Sequence, residues 1–147
     1  MALKGKRLIF ADACSPKAQE LPATTATILP GTVVENVAGG YAPSDDAATV
    51  FGKPLLVADY NFLAAGDVDT AYADGDVVYA RTLPKDAFAN VRVAASQNIT
   101  LLNTGLSRNG DGTLKIAATD GTEDVLAYAD EIVNTGGAAA LVRVRGA

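Results

Sequence analysis

The stretch ILPGTVVENVAGGYAP, residues 28–43, sets a β-branched run between a Pro-Gly pair and a Gly-Gly pair. Glycines beside a strand either cradle a phosphate or turn the chain. A phosphate cradle requires G-x-x-x-x-G-K-[ST] or G-x-G-x-x-G leading into a helix, whose first N–H groups receive the anion. Neither motif is present, and no helical pattern follows Gly40. Pro30-Gly31 and Gly39-Gly40 therefore read as turns bracketing one strand, Thr32–Val37.

The same alternation of strand and turn extends in both directions. Before it, TTATIL (24–29) is β-branched; after it come KPLLVADYN (53–61), GDVVYARTL (75–83) and NVRVAAS (90–96), each bounded by Pro, Gly or Ser. In the last run Val91, Val93 and Ala95 share one face and Arg92 and Ala94 the other, which predicts a half-buried strand. Asn109-Gly110-Asp111-Gly112 ahead of Thr113–Ile116, with Asp120-Gly121 after it, supplies the positive φ that tight hairpins need. In AALVRVRG near the end, Val142 and Val144 point one way and Arg143 and Arg145 the other. Those arginines fit a contact surface and fit equally the charges that keep an edge strand from aggregating. One short helical turn around 60–66 is the best helix signal, and DEIV (130–133) is ambiguous. The expected fold is all-β, a small barrel or sandwich of about seven to nine short strands. An extended N-terminal arm (1–22) precedes a single β domain (23–147).

The arm has no sustained period but carries an apolar dock, Leu8, Ile9 and Phe10, behind Lys4, Lys6 and Arg7. It reads as a segment that docks on this domain or on another subunit. The apolar stretch stops at Asp12, too short for an export signal, and no window is apolar enough to span a membrane. The expectation is a chain made and kept in a cytoplasm.

Charge is segregated within a net of −5: residues 41–80 hold seven aspartates against Lys53 alone, whereas both ends are basic. The scattered cations lack the interleaved aromatics of a nucleic-acid track, so docking on an acidic protein surface fits at least as well. Plainly solvated charge remains the third reading.

Histidine is absent and Cys14 is the lone cysteine. The first removes the commonest general base and the usual zinc ligand; the second excludes an internal disulfide and cysteine-pair metal sites, leaving Cys14 as a buried spectator. Asp67, Asp69, Asp74 and Asp76 have the wrong spacing for a calcium loop. Asp45 and Asp46 read as solvation, and nothing fixes Asp124, Asp130 and Glu131 as a hydrolytic pair. No enzyme, cofactor or resident metal is expected.

This profile resembles the capsid decoration, or cement, proteins of tailed bacteriophages, including those similar to the head decoration protein of phage lambda. The resemblance lies in ILPGTVVENVAGGYAP after a proline-interrupted arm, the central GDVVYARTL, and the late hairpin SRNGDGTLKIA followed by a short terminal strand. It implies a β-tulip-like domain on the outer surface of the expanded head, at junctions between major capsid protein subunits. It also implies a homotrimer, with no nucleic acid or membrane as partner. The capsid-binding residues would be Lys4, Lys6, Arg7, Leu8, Ile9, Phe10, Arg143 and Arg145. A carbohydrate- or receptor-binding β module is the alternative from another class, and a tail or baseplate protein the neighbouring one. The first would need tyrosine platforms such as Tyr41 or Tyr60, since Trp is absent.

Overall fold

The computed structural model describes residues 9–10, 18–61, 63 and 66–147. Twelve strands run through them, and none of these residues is helical. The strands are β1 (Ala18–Pro22), β2 (Val34–Val37), β3 (Gly40–Pro43), β4 (Leu56–Ala58), β5 (Val77–Thr82) and β6 (Phe88–Val93). They continue as β7 (Asn98–Ile99), β8 (Gly105–Arg108), β9 (Leu114–Ile116), β10 (Ala127–Ala129), β11 (Val133–Asn134) and β12 (Ala140–Gly146). Strands of two or three residues account for the excess over the expected number.

A closed barrel in the order β10-β12-β6-β9-β8 forms the body. Its longest seam joins β12 to β6, antiparallel from Ala140↔Val93 to Arg145↔Phe88. Val142, Val144, Ala89, Val91, Val93, Ala127 and Ala129 are buried inside it. Small and β-branched side chains suit so narrow an interior, because larger ones would not close it. A second sheet, β1-β5-β4, and the β2-β3 hairpin enclose a smaller core around Ile28, Tyr41, Tyr72 and Val78. Residues Ala18–Pro22, counted with the arm on sequence grounds, are thus a strand of the domain, in register with β5.

The Pro30-Gly31 reading holds. Thr32 N–H donates to Leu29 O at 3.0 Å and Gly31 has φ +85°, the conformation that puts proline and glycine at the middle of a type II turn. At the other end Ala38 and Gly39 form a two-residue turn, and Gly40 already opens β3 opposite Val37. Gly40 passes so close to β1 that an added Cβ would sit 1.9 Å from Pro22 O.

Two strand expectations fail, and Tyr60, Asn61, Leu63 and Gly66, within the segment read as the best helix signal, are not helical. TTATIL is turn rather than strand: Thr24 Oγ1 donates to Tyr41 O at 2.9 Å, and the Thr25 and Thr27 hydroxyls bond each other at 2.8 Å. One hydroxyl is spent on a distant carbonyl and two on each other, so the segment ties down without a sheet ladder. β6 is not half-buried, since Ala89 to Val93 are buried on both faces. The covering layer is the Pro30-Gly31 turn and the loop at Val68, tied down by Arg92. Its N–H donates to Gly31 O (2.9 Å), its Nε to Pro30 O (2.9 Å) and its Nη2 to Val68 O. Burial pushes the Arg92 pKa down, against the nearby Asp69 carboxylate at 3.6 Å. A cation read as the solvent face of a strand is in fact a rivet between layers.

Candidate docking surface

Arg143 and Arg145 lie on the outward face of β12, with Val142 and Val144 turned into the barrel as expected. Arg143 is largely satisfied within the chain: its Nε donates to Asp130 Oδ2 at 2.7 Å, and its backbone N–H to Glu131 Oε1 at 2.8 Å. Arg145 is different. It donates to the neutral Asn103 Oδ1 at 3.0 Å and stands 6.0 Å over the Tyr128 ring, its cross-strand partner. Among the described residues its charge therefore meets an amide and an aromatic face.

Beside these arginines the chain exposes three large apolar side chains, Leu101 (70%), Leu102 (56%) and Ile132 (66%). Their grouping follows from register. Val133 pairs with Ile99, and Asn103 N–H donates to Ala129 O at 2.8 Å, so Ile132 lies alongside the 100–103 turn. Asn103 takes φ +63° and Thr104 Oγ1 caps Leu101 O at 2.7 Å, which holds that turn. Neighbouring leucines on a strand would point to opposite faces; on this turn both face solvent. Exposed apolar clusters rimmed by polar groups mark interaction sites in soluble proteins. The sequence signal was the pair Leu101-Leu102 ahead of the turn residues Asn103-Thr104-Gly105, which reads as strand unless the positive φ at Asn103 is known.

The arm residues divide differently. Lys4, Lys6, Arg7 and Leu8 lie outside the described residues, as does Cys14. Ile9 is fully buried in the chain's own larger core, and its carbonyl accepts the Asn90 N–H at 2.6 Å. Phe10 bridges to Ala89 and lies under Arg81, 5.8 Å from the guanidinium. Neither is a free anchor for a partner: an apolar dipeptide next to the open side of β6 buries itself there.

A second recess lies between β2 and the segment 53–56, lined by Val34, Glu35, Asp46, Lys53, Leu56 and Arg108 among others, with a volume of about 220 Å³. Small-molecule pockets usually run from about 300 to 1,000 Å³, so it is small for one. Arg108, 4% exposed, spends Nη2 on the Lys53 and Pro54 carbonyls at 3.1 and 3.2 Å. Among the described residues its Nε and Nη1 have no hydrogen-bond partner, and Asp46 Oδ2 lies 3.9 Å from Nε. Asp46 is held instead by Lys53 at 2.7 Å. Glu35, Asp45 and Asp46 bring carboxylate oxygens within 4.8 Å of one another. Burial, with the neighbouring acids, raises the Glu35 pKa. Sequence reasoning had left Asp45 and Asp46 as solvation, because nothing in the chain announces that the hairpin carries Glu35 to them.

Asp59, whose pKa burial raises, accepts from Tyr60 N–H at Oδ1 (2.9 Å) and from Arg81 Nε at Oδ2 (3.0 Å), and Tyr72 OH donates to its backbone carbonyl at 2.6 Å. Asp67 accepts from Asp69 N–H and the Thr70 hydroxyl, closing a local turn. Tyr41 and Tyr72 are buried and the other three tyrosines half-buried, so none stands out as a sugar-stacking platform. No protein-family model and no curated protein matches this sequence.

Proposed function

We propose that this chain is a structural virion protein of a tailed bacteriophage, a cement protein that binds the outer surface of the capsid and stabilises the expanded head. The observation that carries the reading is the set of exposed apolar side chains Leu101, Leu102 and Ile132, beside the turn whose Asn103 accepts from Arg145. The sequence resemblance points the same way. In this reading the major capsid protein is the partner, copies sit as trimers where capsid subunits meet, and the location is the capsid surface after synthesis in the bacterial cytoplasm. Several modest contacts made at once give avidity without any single strong one. The protein does no chemistry; its work is to hold neighbouring subunits against outward pressure.

Co-sedimentation with purified expanded heads tests this. The full chain should saturate the heads. Removing residues 1–8, which leaves Ile9 in the core, should weaken binding if the basic arm Lys4, Lys6 and Arg7 is a second foothold. No binding by the full chain overturns the proposal.

A further inference from the structure

The recess beside β2 has a buried cation in its wall whose donors are only partly used. Arg108 ends β8, and its side chain reaches the segment 53–54. A guanidinium is a fixed fork of N–H donors with no acceptor of its own. Nη2 donates to the Lys53 and Pro54 carbonyls at 3.1 and 3.2 Å. Nε and Nη1 are buried and, among the described residues, meet no acceptor. A buried charged donor left so is costly, and such groups in folded proteins commonly mark a bound water or ion.

The neighbouring acids do not meet that need. Asp46 Oδ2 stands 3.9 Å from Nε, outside hydrogen-bond range, because Lys53 Nζ holds both Asp46 oxygens at 2.7 and 2.8 Å. Lys53 and Asp46 thus cancel each other. Glu35 turns Oε1 to the Asp45 N–H at 3.2 Å, and among the described residues no ion pair joins it to Arg108. The remaining lining is apolar at Val34, Pro54 and Leu56, and the volume of about 220 Å³ suits a ligand of few atoms. We propose that this recess binds a small monocarboxylate with a short apolar tail. One carboxylate oxygen accepts from the donors that Arg108 leaves unused, a charge-assisted bond, and the tail lies on Val34, Pro54 and Leu56. The site is independent of whether the chain sits on a capsid.

Butyrate is the probe, and the Arg108 Nε–H resonance of the isotope-labelled full chain is the readout. Butyrate should shift that resonance saturably with a Kd of about 1–10 mM, the affinity that about six heavy atoms supply. Butylammonium, with the same tail and the opposite charge, should leave it in place. Sodium chloride at equal ionic strength is the third arm; a shift as large as that from butyrate means an adventitious ion effect only and overturns the proposal. Lys53→Met changes a half-exposed side chain and releases Asp46 to close the 3.9 Å gap to Arg108. In that variant the Arg108 Nε resonance should move with no ligand present, and butyrate should bind about tenfold more weakly because it must displace Asp46. An Arg108 resonance that butyrate leaves unmoved, or a Lys53→Met chain that binds as tightly as wild type, would overturn the proposal.

Discussion

Replacing Gly31 by alanine probes the turn on which the fold depends. Gly31 has φ +85°, a region that costs an L-residue about 1–2 kcal/mol. The added Cβ would also lie 2.4 Å from Leu141 Cδ2 and 3.2 Å from Asn90 O, well inside contact distance. Leu141 is partly buried against the larger core, so its side chain must shift and repack, at about 1–3 kcal/mol, while the Asn90 carbonyl is fixed backbone. Together these give a loss of about 2–5 kcal/mol. Gly75 provides the control, since its φ of +84° is nearly the same but nothing lies within 4 Å of its added Cβ. Gly75→Ala should therefore show the backbone penalty alone. Thermal melts of both variants separate the two contributions, at about 2–4 °C of Tm per kcal/mol for a domain of this size. Adding Leu141→Ala should recover part of the Gly31→Ala deficit. Equal losses for Gly31→Ala and Gly75→Ala would refute the claim that this turn is packed into the barrel.

Other outcomes follow from the buried and paired charges. Arg92→Met keeps much of the side-chain volume but leaves the Pro30 and Val68 carbonyls without their donor, and should cost about 3 kcal/mol in urea unfolding. Glu123 accepts from Lys115 Nζ at 2.7 Å, Ala118 N–H at 2.8 Å and Ser107 Oγ at 3.0 Å, and these hold its pKa below the ordinary value of 4.5. A lowered carboxylate pKa stabilises the fold above 4.5 and loses that contribution as pH falls through the folded value. Glu123→Gln should thus be less stable than wild type at neutral pH, by about 1 kcal/mol, with the gap closing as pH drops below 4 to 5 in denaturation curves.

Much of the architecture was legible in the sequence because turns are written in local chemistry. Pro30-Gly31, the Asn109–Gly112 loop and the alternation in β12 depend only on neighbours in the chain, and each is where it was expected. What failed depended on distant partners. Thr24–Leu29 has strand propensity, but its hydroxyls found carbonyls and each other; Arg92 looked solvent-facing until the Val68 loop covered it. Leu8, Ile9 and Phe10 are recognisable as a docking run that fits this domain or another subunit, but not that Ile9 and Phe10 dock on β6 of the same chain. The candidate surface was half legible. Arg143 and Arg145 carry a visible pattern, whereas Leu101, Leu102 and Ile132 come together through the β7–β11 register and one positive φ at Asn103. Neither leaves a mark in composition.

The most direct test of the central claim is the affinity of wild type and of Leu102→Asp/Ile132→Asp for expanded phage heads. Both substituted side chains are exposed, so the variant should melt with the wild type, as surface changes shift stability by only about 0.5 kcal/mol. The account predicts saturable binding by the wild-type chain and a loss of about a hundredfold or more in the variant, the effect of placing two charges in the centre of an apolar contact. Undiminished binding by the variant, or none by the wild type, would contradict it.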